Sequence, residues 1–61
     1  MGYNETNIGR LDSIRALLST LRQQIYNNDL TAGQANSTAI KALMDALDTA
    51  VQSSTNLTNL P

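Results

Sequence analysis

Few residues here could do chemistry. The chain has 61 residues and contains neither cysteine nor histidine. It therefore lacks the ordinary ligands of zinc and haem, and it has no thiol or imidazole to serve as nucleophile or base. Its serines have no activating partner at motif spacing. Asp45 and Asp48 stand three apart, on one face of an expected helix. Such a pair can hold a metal ion or move protons, but catalysis needs a cleft around it. Two helices make no cleft, so both carboxylates are expected on a solvated face. The run "DLTAGQANS" lacks the spaced acids and the closing Glu of a calcium loop. No glycine-rich phosphate loop is present. The expectation is a non-enzyme with no catalytic residue, no cofactor and no metal.

Charge narrows the partners. A net charge of −1 gives no electrostatic footprint for nucleic acid, whose binders are strongly basic. Arg10, Arg15 and Arg22 fall near the flanks of the first expected helix, where they could meet phosphates. Aromatic residues make up 3% of the chain, too few for base stacking, so nucleic acid is not the expected partner. Apolar runs stop at pairs or triplets, so no segment is expected to span a membrane. No basic start followed by an apolar stretch marks a secretory signal, and cytoplasmic synthesis is expected. "MGYNET" fits the N-myristoylation pattern of Gly2 with Thr6, which requires loss of Met1, and the modification is not expected. Asn4, Asn36 and Asn56 open glycosylation sequons, expected by chance in a chain this rich in Asn, Ser and Thr.

The elements follow from periodicity. Residues 1–7 are polar and read as an arm, with Thr6 or Asn7 able to cap the helix after it. A helix is expected over 8–27. Its apolar residues Leu11, Ile14, Leu18, Leu21 and Ile25 advance by 3, 4, 3 and 4, the seam spacing of a helix packed on a helix. Leu17 widens that stripe, while Ile8 and Tyr26 lie off it. Arg22 and Tyr26 are four apart, which sets the guanidinium over the ring. Asn27, Asn28 and Asp29 favour turns, and Asn tolerates the left-handed conformation that ends helices. Thr31 to Gln34 has the form of a capping box, with Leu30 and Ala35 placed as a hydrophobic staple. A turn at 28–31, a second helix over 32–53 and a polar tail over 54–61 complete the chain. Connections this short join antiparallel neighbours, so the fold class is all-α: an antiparallel two-helix hairpin with extended polar arms.

Folding the hairpin at Asp29–Leu30 sets Leu21 by Ile40, Leu18 by Leu43 and Met44, Ile14 by Leu47, and Leu11 by Val51. Every layer is then apolar on both sides, and Arg15 comes level with Asp45 and Asp48. Asn36 falls where the apolar row would continue back from Ile40. It could fix register there, but is expected at a frayed, wet end. A second row, Ala35, Ala39, Ala42, Ala46 and Ala50, broadens the apolar arc of the second helix to roughly 200°, about twice what one neighbouring helix needs. With Leu57 and Leu60 in the tail, this face is expected to meet a partner: the chain itself or a larger protein assembly. The Asn-, Thr-, Ser- and Gln-rich composition resembles that of small bacteriophage virion proteins, such as capsid-associated or tail components. That resemblance implies a structural subunit of a virion. The alternative is a small homodimeric regulator or adaptor that binds RNA or a protein partner.

Overall fold

Two helices and a three-residue connection form the hairpin. The computed structural model describes residues 5–55 and residue 57. Helix α1 spans Glu5–Tyr26 and helix α2 spans Leu30–Gln52, and no strand occurs among the described residues. Leu60, expected as an anchor of the tail, lies outside the described residues.

The start of α1 differs from expectation. Thr6 and Asn7 belong to the helix instead of capping it. Glu5 stands in the first turn, where its charge complements the exposed amide groups. Asn7 is buried, and its side-chain oxygen accepts a 2.7 Å bond from Arg10 Nη1, one turn later.

The connection closes α1 with asparagine. Asn28 adopts a φ of 54°, in the left-handed region. The amide of Asp29 donates to the Gln24 carbonyl at 2.9 Å and that of Asn28 to Ile25 at 3.1 Å. These two bonds are the Schellman pattern, which satisfies carbonyls left orphaned at a helix end. Asp29 then opens α2. Its carboxylate accepts from the Ala32 amide, so Asp29 is the N-cap. The expected Thr31–Gln34 capping box does not form, because α2 begins two residues earlier than expected, at Leu30, and Thr31 is already helical. One residue thus ends one helix and starts the next, leaving no slack in the turn.

The slack-free turn sets the register. A Cβ on Gly33 would lie 3.8 Å from a Leu21 methyl and 3.9 Å from the Gln24 Cβ. Asn36 Nδ2 donates to the Leu17 carbonyl. Leu21 therefore packs near Gly33, not beside Ile40 as the sequence suggests. The hairpin measures 42 × 19 × 11 Å, and its least dimension is the thickness of one helix.

Gly9 and Gly33 sit inside helices without needing to be glycine. A Cβ on Gly9 meets nothing within 4 Å, and one on Gly33 makes ordinary contacts. Gly9→Ala and Gly33→Ala should each raise stability by about 1 kcal/mol, through helix propensity and a less free unfolded chain. Urea unfolding followed by circular dichroism checks this; a loss at Gly33 would mean the helices approach more closely than described.

Candidate interaction surface

The surface builds outward from the seam. Asn7, Arg10, Ile14, Leu17, Leu21 and Gln24 are the residues of α1 that are buried or half-buried, and they advance by 3, 4, 3, 4 and 3. On α2, Gly33, Asn36, Ile40, Leu43, Leu47 and Ala50 do the same, flanked by half-buried Ala32 and Ala46. Two matched runs of this period form the seam along which α1 and α2 pack. Ile14, Ile40 and Ala50 are the buried apolar residues among those described.

This seam corrects the expected one. Ile14, Leu21, Ile40, Leu43 and Leu47 turn inward as expected. Leu11, Leu18, Ile25 and Met44 do not: they remain 46%, 48%, 70% and 53% exposed. Val51 is also exposed. The first helix carries two runs of seam spacing that share Ile14 and Leu21. The packed run includes Leu17 and excludes Leu18, a rotation of about 50° toward Leu17. Arg15 turns outward with Leu18, so its expected pairing with Asp45 and Asp48 is not formed. Asp45 instead takes a 2.7 Å ion pair from Lys41, and Asp48 accepts from Gln52 Nε2. The Lys41 ammonium is held above its usual pKa by the hydrogen bond to Asp45 and by that carboxylate's charge. Both side chains are exposed, so the pair adds little to stability.

Polar residues in the seam are satisfied by one another. Asn36 Nδ2 lies 3.0 Å from both the Leu17 carbonyl and Gln24 Oε1. Asn36 is half-buried and ties the two helices together, where the sequence suggests a frayed, wet end. The outward-facing hydroxyls of Thr20, Thr38 and Thr49 each donate to a carbonyl one turn back in their own helix. Arg22 lies over the Tyr26 ring at 5.7 Å, as the spacing predicts. These outward-facing side chains therefore find partners within their own helices.

One broad face does not. Leu11, Leu18 and Ile25 recur every seven residues on α1, and Leu30, Ser37, Met44 and Val51 do so on α2. Each set lies on the same flank of its own seam. In an antiparallel pair those flanks adjoin, so the two stripes form a single apolar face. A shallow groove near the turn, lined by Leu21, Ile25, Leu30, Gly33 and Ser37, shows them side by side. The alanine row is divided. Ala50 is buried in the seam and Ala46 half-buried beside it, while Ala35, Ala39 and Ala42 are exposed on the other side. Leu57 is exposed beyond α2.

Among the described residues no other site gathers. No three acidic, His or Cys side chains come together there, and no helix is long and apolar enough to cross a membrane. Comparison with protein-family models, curated proteins and solved structures finds no match.

Asn36→Leu should keep or raise the melting temperature, since a leucine adds apolar burial at the seam. It should also remove the polar contact that selects one pairing of the helices. The readout is the amide spectrum: doubled or broadened cross-peaks are expected, and one sharp set would show that Asn36 does not set the register.

Proposed function

We propose that this chain is a non-enzymatic assembly subunit, a helical hairpin whose apolar face is covered by protein in its working state. One observation carries this. The hairpin is a single layer 11 Å thick that buries three apolar side chains among those described and leaves a continuous apolar face in water. A helix or sheet with an apolar face must bury it against another layer, and small chains without staples rarely manage alone. Contiguous apolar patches of this size mark interaction sites. The virion setting is supported by the Asn-, Thr-, Ser- and Gln-rich composition. The regulator alternative draws on Arg10, Arg15 and Arg22. Of these, Arg10 is committed to Asn7 and Arg22 to the Tyr26 ring, which weakens it.

Two measurements on the isolated chain decide. Helical circular dichroism should fall as the sample is diluted, because a single hairpin layer does not sustain its fold. A fully helical monomer with a cooperative unfolding transition at the lowest concentration would contradict the proposal. Anisotropy with mixed-sequence RNA should show no binding. An affinity that drops steeply with added salt would favour the regulator instead.

A further inference from the structure

We propose that the face formed by Leu11, Leu18, Ile25, Leu30, Met44 and Val51 is closed by a second copy of this chain, giving a two-fold four-helix bundle. This rests on the assembly reading above and names its partner.

The first ground is area. Six side chains between 36% and 70% exposed leave apolar surface on one flank. At full burial they offer about 600 Å² per copy, so a pair buries up to about 1,200 Å², the lower end of the range of specific interfaces. The second ground is shape. The stripes repeat every seven residues on both helices, which keeps them facing one neighbour over the full length of the hairpin. The occupant must therefore be straight, as long as the hairpin, and of the same repeat. Another copy meets all three conditions. The groove at Ser37 and Gly33 gives such a copy a notch for an apolar side chain.

Charge selects the arrangement. The edge of α1 beside the stripe carries Arg15 and Arg22. The matching edge of α2 carries Gln34, Asp48 and Lys41, and the Lys41 charge is already met by Asp45. Laying α1 on α1 of the copy would set arginines against arginines. Laying α1 along α2 of the copy avoids this: Lys41, its charge met by Asp45, comes level with Arg15, and neutral Gln34 comes level with Arg22, and a two-fold axis repeats this on the other side. Every neighbouring helix is then antiparallel, as short-looped bundles prefer. A membrane surface fits less well, because interfacial helices carry a basic polar face and this chain has a net charge of −1.

Sedimentation equilibrium with circular dichroism on the full chain tests this. A helical dimer is expected for wild type. Ala39→Glu, on the opposite flank, should leave it a dimer. Leu18→Glu should yield monomer, and Leu18→Ala should weaken dimerisation roughly tenfold or more while helicity returns at high concentration. The alanine variant decides the matter where the charged one fails to fold. A dimer indifferent to both Leu18 substitutions, or broken by Ala39→Glu, would overturn the pairing. An unfolded wild-type monomer would also overturn it, while leaving an assembly with a different protein in place. A stably folded monomer would overturn both.

Discussion

Which side of α1 faces α2 governs the rest of this molecule. A helix can give one flank to a single neighbour, and α1 has two adjoining flanks with apolar residues. The flank it gives holds Ile14, Leu17 and Leu21, with Asn7, Arg10 and Gln24 at the ends. The flank it withholds holds Leu11, Leu18 and Ile25. Because α2 likewise keeps Leu30, Met44 and Val51 outside, the withheld flanks merge into one face. The outer surface of the hairpin is thus a consequence of its inner one.

Two local devices hold that choice. The turn is short enough that Asp29 both closes α1 and caps α2, so the chain cannot slip by a residue without breaking a helix end. Further along, Asn36 holds Gln24 and the Leu17 carbonyl across the seam. A half-buried polar group contributes little net stability, but its alternatives leave unpaired donors. It therefore selects among pairings more than it strengthens any one of them.

Much of this fold is legible in residue order. The stop at Asn27–Asp29, the left-handed Asn28, the Arg22–Tyr26 contact and the antiparallel hairpin all come from local chemistry that a sequence displays directly. The rotation of α1 is not legible, for a physical reason. The runs through Leu11–Leu18–Ile25 and through Leu17–Gln24 both advance by threes and fours, and the first is the more apolar. Ranking them by hydrophobicity presumes that the most apolar flank must meet the only neighbour in the chain. Here the more apolar flank stays exposed, which breaks that presumption. The N-cap is ambiguous for a related reason: Thr31 and Asp29 both fit capping patterns, and the tight turn settles the choice at Asp29. In the alanine row, propensity and contact look alike in sequence, and burial alone separates Ala50 from Ala35.

Methyl nuclear Overhauser contacts, recorded on an equal mixture of labelled and unlabelled chains, test the choice of flank most directly. Contacts within one chain are predicted between Leu17 or Ile14 and Ile40 or Leu43. Contacts between chains are predicted from the Leu18 and Met44 methyls. Strong contacts within one chain from Leu18 to Ile40 and Leu43, with none between chains, would put Leu18 in the seam and contradict that choice.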